Sequence, residues 1–219
     1  MKNFKIYISI LFILGSSILL NAQQQNRFWY FGNNIGIDFG SDLNSPTPIT
    51  GIGNNTNEGS GVISDANGYF LLYTDGSVAI NNQGTTITTD LSGNPSSTQS
   101  SIVVPSPGSC DDLYIFSVDF TDGNQGLSYN IVNTNDWTVS ASQPLCNDCD
   151  EKVTVIPHSN GKDQWILAVR PNSRSIPVYL LDENGVSTIN DSDLSFLPLS
   201  LSRTIGAIKG SHDGSMIAV

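Results

Sequence analysis

Cysteines offer the most constrained chemistry in this sequence. Cys146 and Cys149 form a C-x-x-C pair, and Cys110 is the third cysteine of the chain. Thiols outside the cytoplasm tend to oxidise, so we first interpret the pair as a disulfide that closes a tight loop. Half of a zinc site and a redox-active pair are the alternatives that the spacing leaves open.

These alternatives make different demands on the rest of the chain. A zinc site needs two further ligands, and the candidates are Cys110, His158 and His212. Both histidines fall inside turns between apolar segments, so we interpret them first as turn residues and only then as ligands or bases. An odd number of cysteines leaves at least one unpaired within the chain.

The loop that holds the cysteine pair is also acidic. It carries three carboxylates within four residues, namely Asp148, Asp150 and Glu151. Such neighbours raise a thiol pKa, which disfavours the redox interpretation. A calcium loop needs oxygen ligands at alternating positions and a glycine at its sharp turn, and no complete D-x-[DN]-x-[DN]-G string occurs. We therefore expect no cofactor, with calcium as the alternative.

A single carboxylate, Glu58, stands among amides and hydroxyls in a polar segment. It could act as a general acid, or bind a cation together with Asn57, although a solvated or capping carboxylate is the ordinary outcome. Glycosidase chemistry needs two carboxylates at a defined separation. Asp75, in an Asp-Gly turn, is the residue whose distance from Glu58 tests that idea. Glu58, Asn57 and Asp75 are our candidate binding residues, and no catalytic residue or metal ligand is assigned.

The densest aromatic run is Phe28–Phe31. In a strand, Phe28 and Tyr30 face one way while Trp29 and Phe31 face the other. Because large aromatic side chains dominate cores, we expect both faces of this strand to be buried between layers. A stacking platform for sugar rings is the functional alternative.

Behind these residues lies a repeated pattern of two apolar segments joined by a glycine-containing turn. Four copies occur, with turn glycines at Gly68, Gly108, Gly161 and Gly214. The apolar residues alternate or form short blocks, Asp-Gly and Asn-Gly turns punctuate them, and no amphipathic helix is evident. The sequence therefore predicts an all-β fold.

The repeat also predicts an architecture. A period of roughly 40–50 residues is typical of β-propellers, whose 4–8 blades each contain about four strands. We expect the hairpins to be the middle strands of successive blades. The chain supplies about three to four blades, so the sequence predicts a partial propeller over residues 23–219 that is truncated at its C-terminus.

The first 22 residues have the pattern of a signal peptide. Lys2 and Lys5 precede a mostly apolar stretch, Ile6–Leu20, and Ala22 offers a small residue for cleavage. The stretch is too short and too polar near its end for a membrane anchor. We expect export through the periplasm and no membrane span after cleavage.

The charge of the chain limits its partners. Nine Lys and Arg residues stand against 20 Asp and Glu, for a net charge of −11, and signal cleavage removes two of the lysines. An acidic surface repels phosphate backbones and anionic headgroups. We therefore expect no nucleic-acid partner.

Distinctive motifs follow one another along the first half of the chain: Phe28–Asn33, Gly36–Phe39, Asn57–Gly59, Ile63–Gly68, Leu71–Gly76 and Ser96–Pro105, followed by Tyr114–Phe116. In these motifs and their order the chain resembles the N-terminal region of large secreted proteins of Bacteroidetes-type bacteria. In that family the region is a β-propeller. PKD-type modules and a C-terminal signal for type IX secretion often follow it, and the proteins are associated with gliding motility. We expect this chain to lack those C-terminal modules, and the family propeller provides no catalytic residues to transfer.

These observations predict a non-enzymatic, exported propeller segment of an adhesin-like protein that is secreted or displayed on the cell surface. Its partner would be a protein or a glycan. The alternatives are a glycan-active hydrolase or lyase built on a propeller, and a truncated, nonfunctional remnant.

Overall fold

The computed structural model describes residues 25–40, 44–51, 53, 56–121, 123–149, 151–173, 175–189, 191–193, 205–211 and 213–219. The predicted signal peptide, Asp150 and His212 lie outside these residues. The described part of the chain is all-β and contains no helix, which confirms the predicted fold class. Accordingly, it has no helix of the length and apolarity that a membrane crossing requires.

Antiparallel sheets follow one another along the chain. Sheet I contains β1 (Phe28–Phe31), β2 (Ile35–Asp38) and β3 (Thr47–Thr50). Sheet II contains β4 (Gly61–Ser64), β5 (Phe70–Thr74), β6 (Ala79–Asn81) and β7 (Thr86–Thr88). Sheet III contains β8 (Ser101–Pro105), β9 (Asp112–Val118), β10 (Leu127–Asn133) and β11 (Gln143–Cys146).

Sheet IV contains β12 (Val153–Pro157), β13 (Gln164–Ala168), β15 (Val178–Asp182) and β16 (Gly185–Thr188). A short pair, β14 (Ser175–Ile176) with β17 (Ser192–Asp193), accompanies it. Sheet V contains β18 (Lys209–Gly210) and β19 (Ile217–Ala218). Sheets I to IV are meanders in which each strand pairs with the next strand of that sheet along the chain.

The sequence predicted that the repeated hairpins form the middle strands of their sheets. The structure shows a different arrangement. In sheets II to IV the first strand of the hairpin, β4, β8 or β12, is an edge strand, and only the second strand lies inside the sheet. Most residues of β4, β8 and β12 are buried. Their free edges lie beside one another, since β1, β4, β8, β12 and β18 contact their successors in chain order.

The hairpin glycines serve two different purposes. Gly68, Gly161 and Gly214 have φ values of 83°, 71° and 69°, a backbone conformation that favours glycine. Gly108 does not, but a Cβ there would lie 2.5 Å from the carbonyl oxygen of Glu183. That glycine is needed for the close approach of two turns.

The hydrophobic core is divided among the interfaces between successive sheets. Sheets II and III share one cluster, whose fully buried members include Leu72, Ile115 and Val132. Sheets III and IV share a second, with Phe116, Leu127 and Ile166. A third cluster joins sheet IV to sheet V through residues such as Val169 and Ile208. The sheets therefore stack face to face in chain order.

Candidate functional site

Strand β1 has one buried and one exposed face. Tyr30 is buried and packs against Phe70 and Tyr73 of sheet II, with ring centroids 5.2 and 5.8 Å away. Trp29 and Phe31 point the other way and are 52% and 44% exposed. Our expectation that both faces are buried was wrong for the Trp29 face, because sheet II covers only the Tyr30 side.

The exposed indole of Trp29 is supported by a second aromatic ring. The ring of Trp29 meets that of Phe39 edge-on, at a centroid distance of 5.2 Å. Arg27 and Asp38 tie the start of β1 to the end of β2 with two hydrogen bonds, Nε to Oδ1 at 2.5 Å and Nη2 to Oδ2 at 2.7 Å. The hydrogen bond from Arg27 holds the pKa of Asp38 below its usual value. The two-strand hairpin is thus fixed at the end opposite to Phe31.

Glu58 is placed by the backbone around it. Its amide donates to the carbonyl oxygen of Pro95 at 3.1 Å, and the amide of Gly59 donates to that of Ser97 at 3.0 Å. A Cβ on Gly59 would lie 2.7 Å from the Ser97 oxygen and 2.8 Å from that of Thr98. Only a glycine lets this segment lie flush on the next one, which leaves the Glu58 side chain exposed.

Glycine is also required where sheet I meets this segment. A Cβ on Gly32 would collide with the carbonyl oxygen of Thr56. The hydroxyl of Thr56 donates to the Gly59 oxygen at 2.6 Å, and that of Ser60 donates to the Tyr30 oxygen at 2.9 Å. These contacts bring the end of β1 against residues 56–60.

Together these residues form a shallow depression on the surface, which we call the aromatic depression. It measures about 340 Å³ and is lined by Trp29, Tyr30, Phe31, Gly32, Glu58, Ser60 and Val62. Glu58 is the one carboxylate among these described lining residues. The depression offers two exposed aromatic rings, a carboxylate acceptor and a hydroxyl, which suits an uncharged polyhydroxylated ligand.

Only one of the three candidate binding residues lines this depression. Asn57 is exposed beside Glu58 but is not part of the lining. Asp75 is buried, and its Oδ1 accepts hydrogen bonds from the Ser77 amide at 2.8 Å, the Ser77 hydroxyl at 2.9 Å and the Val78 amide at 2.8 Å. The Asp75 carboxylate therefore caps its own turn, and the structure does not bring it into the lining with Glu58.

The cysteine pair is joined in the structure. Cys146 and Cys149 form a disulfide with a Cα–Cα distance of 5.5 Å, and Cys110 is a free, exposed cysteine. Asp148 lies close enough to both sulfurs to share a metal ion with them, but a disulfide offers no thiolate ligand. His158 accepts a hydrogen bond from the Asn160 amide at 3.2 Å, as expected for a turn residue.

Arg170 is a functional group beside this pair that sequence reasoning missed. Its Nη2 lies 3.9 Å from the Cys146 sulfur and its Nε lies 2.8 Å from a carboxylate oxygen of Asp148. Asp191 pairs with it from the other side. Arg170 is 24 residues from Cys146, and only the packing of sheet IV on sheet III brings it close, so no local signal could have found it.

The carboxylates of the acidic loop do not converge. The Glu151 side chain is buried and accepts hydrogen bonds from the Thr98 hydroxyl at 2.9 Å and the Thr121 hydroxyl at 2.6 Å. Asp148 is exposed and pairs with Arg170, while Asp150 lies outside the described residues. The described members of the cluster thus have separate structural partners.

Comparison with known proteins adds little. No family model matches the chain, and no curated protein matches it. Among solved structures, hydrazine synthase of Kuenenia stuttgartiensis is similar at a TM-score of 0.46 and 11% sequence identity, over 87% of this chain. The chain spans 57% of that protein's length. A likeness this distant supports no inference about fold or function.

Proposed function

We propose that this chain is a non-enzymatic glycan-binding segment of an exported protein, and that the aromatic depression binds the sugar. The observation that carries this proposal is the exposure of Trp29 next to Glu58. An indole face supplies a flat apolar surface for the C–H face of a pyranose, and a carboxylate oxygen accepts hydrogen bonds from sugar hydroxyls.

The rigidity of the depression supports a binding role. The Trp29 ring rests against the Phe39 ring. The Arg27–Asp38 pair ties β1, which carries Trp29 and Phe31, to β2. A preformed surface loses little conformational entropy when a ligand binds.

The architecture that we propose around this site is a β-propeller, in which sheets I to V are successive blades. Two observations support it. The sheets stack face to face in chain order, and their first strands lie side by side along one line of the molecule. Meandering four-stranded sheets arranged in this way are typical of propeller blades.

Membership of the secreted Bacteroidetes-type proteins is part of the same proposal. The Asn57-Glu58-Gly59 motif contributes its glutamate to the aromatic depression and its glycine to the packing of residues 56–59 on residues 95–98. The role of an adhesin at the cell surface, delivered by type IX secretion, rests on the sequence resemblance. The aromatic depression does not favour a glycan-cleaving enzyme, because its described lining holds one carboxylate where two are needed.

A glycan-binding measurement tests the proposal. Residues 23–219 are applied to an array of neutral and acidic oligosaccharides, and the hits are titrated by calorimetry. Trp29→Ala should weaken binding at least about tenfold, because it removes the stacking surface. Tyr69→Ala is the matched control, since Tyr69 is 69% exposed and does not line the depression. The absence of any glycan ligand, or equal binding by wild type and Trp29→Ala, would refute the proposal.

A further inference from the structure

A second depression lies where the first strands of the sheets meet. It measures about 340 Å³, and its lining includes Ser60, Val62, Gln99, Ser101, Thr154 and Lys209. These residues come from or next to β4, β8, β12 and β18, so four successive sheets contribute to it. We call it the strand-edge groove.

The groove continues the aromatic depression. Ser60 and Val62 line both, so the two are adjacent parts of one surface trough. A ligand with a ring on Trp29 can extend across Ser60 and Val62 into the groove. The ligand that fits such a trough is a chain of several rings, because a single sugar occupies only one end.

The charge of the groove is opposite to that of the molecule. The chain carries an excess of acidic residues, with 20 Asp and Glu against nine Lys and Arg. Yet Lys209 is the one charged residue in the described lining of the groove. Its side chain is exposed, and among the described residues it has no ion-pair partner. An ammonium group in this position can pair with an anionic group of a ligand.

The backbone that carries Lys209 is fixed. The side chain of Gln99 accepts a hydrogen bond from the Ile208 amide at 2.7 Å and donates one to the Ile208 carbonyl at 3.2 Å. Ile208 itself is fully buried. The Lys209 side chain therefore extends from an anchored strand, and its ammonium group can adjust to a ligand.

A hydroxyl group lies between the two ends. Ser60 lines both the depression and the groove, and its hydroxyl donates to the Tyr30 oxygen at 2.9 Å. Because that proton is already directed at a backbone oxygen, the lone pairs of the hydroxyl can accept hydrogen bonds from ligand hydroxyls. Polyhydroxylated rings satisfy such acceptors, whereas an apolar chain would leave them unpaired.

We propose that the trough binds an acidic oligosaccharide, with an uncharged ring on Trp29 and the carboxylate of a uronic acid on Lys209. This inference rests on the proposed glycan-binding function and adds the ligand class and the orientation of the ligand in the trough. Glu58 sets that orientation, because its carboxylate repels an acidic ring from the end of the trough that holds Trp29. Lys209 selects the acidic ring at the other end.

Paired ligands test the proposal. A panel of uronate-containing tetrasaccharides with different backbones is titrated, each beside its methyl ester, which has the same rings but no charge. Wild type should bind at least one free acid about tenfold more tightly than its ester. The preference should shrink in high salt, because exposed charges are screened.

Substitutions at one position assign the preference to Lys209. Lys209→Gln should abolish the difference between acid and ester while leaving ester binding intact, and Lys209→Arg should preserve it. Lys162→Gln is the matched control, since Lys162 pairs with Glu183 and does not line the trough. Equal thermal unfolding of the variants shows that each one folds.

The outcomes separate this inference from the proposed function. If esters and neutral glycans bind through Trp29 and no free acid is preferred, the role of Lys209 is overturned and the glycan-binding function stands. If neither acids, esters nor neutral glycans bind, the proposed function fails and this inference fails with it. A preference for acids that survives Lys209→Gln also overturns the inference.

Discussion

Glu151 illustrates how one residue can connect distant parts of the chain. Burial alone would raise its pKa, but hydrogen bonds from Thr121 and Thr98 outweigh burial, and the pKa lies below its usual value of 4.5. These two threonines belong to the segments that follow β7 and β9. A charged, fully bonded carboxylate therefore joins three loops at one end of the sheets.

This arrangement predicts an acid-sensitive contribution to stability. Because the folded-state pKa is depressed, the stabilisation is fully present above about pH 4.5 and is lost as the pH falls through the folded-state value. At neutral pH, Glu151→Gln should lower the free energy of unfolding by about 1–3 kcal/mol. Urea unfolding at several pH values measures this difference, which should shrink in acid.

A matched substitution separates the buried carboxylate from surface charge. Glu183 forms an exposed pair with Lys162, so Glu183→Gln should cost less than about 1 kcal/mol. A loss at Glu151→Gln that does not change with pH would contradict the role of the charged form.

The sequence identified some of the chemically important residues but not their partners. Glu58 was recognised because a carboxylate among amides stands out. Its neighbours in the depression, Trp29 and Phe31, lie about thirty residues earlier, and the alternation of β1 shows only that they share a face. Which face is exposed depends on where sheet II packs. Lys209 could not be predicted as a site residue either, because only the packing of sheet V on sheet IV brings it to the trough.

At the scale of elements, glycines decide how closely neighbouring segments approach. Residues 56–59 lie flush on residues 95–98 because Gly59 has no side chain. The Glu58 position in the depression depends on that contact. The sequence motif Asn57-Glu58-Gly59 therefore combines the proposed ligand contact of Glu58 with the packing that positions it.

A substitution at Gly59 should affect stability and binding together. In Gly59→Ala the new methyl group meets backbone atoms that cannot rotate away, so we expect a loss of about 3 kcal/mol. Glycan affinity should fall as well, because Glu58 moves. Thermal unfolding and calorimetric titration measure the two effects.

Gly84 provides the comparison for this prediction. It has a φ of 74° and open space around its Cβ position, so Gly84→Ala should cost only the backbone strain of about 1 kcal/mol. It should not alter glycan binding. Equal losses of unfolding free energy in the two alanine variants would contradict the view that Gly59 is needed for close packing.

The pairing of strands was predicted in part. Turn residues and alternating apolar positions were sufficient to locate the hairpins, because both signals are local. Their place in the sheets was predicted wrongly. Apolarity on both faces indicates that a strand is covered by neighbouring sheets, but it does not tell whether a further strand pairs with its edge.

At the scale of the whole molecule, the all-β class is confirmed and the ring of blades remains our proposal. Stability is distributed over interfaces between sheets, since each cluster joins one sheet to the next. In such arrays each unit depends mainly on its neighbours. A defect in a central interface should therefore weaken both sheets that share it.

Phe116 tests this dependence, because it is fully buried between sheets III and IV. Phe116→Ala should lower the free energy of unfolding by about 3–5 kcal/mol, since it removes an aromatic ring and leaves a cavity. Phe120→Ala deletes the same ring four residues away, where the side chain is 40% exposed, and should cost about 1 kcal/mol or less. Urea unfolding followed by circular dichroism measures both values. Similar losses at the two positions would mean that the interface between sheets III and IV contributes little, and the stacked arrangement of sheets would need revision.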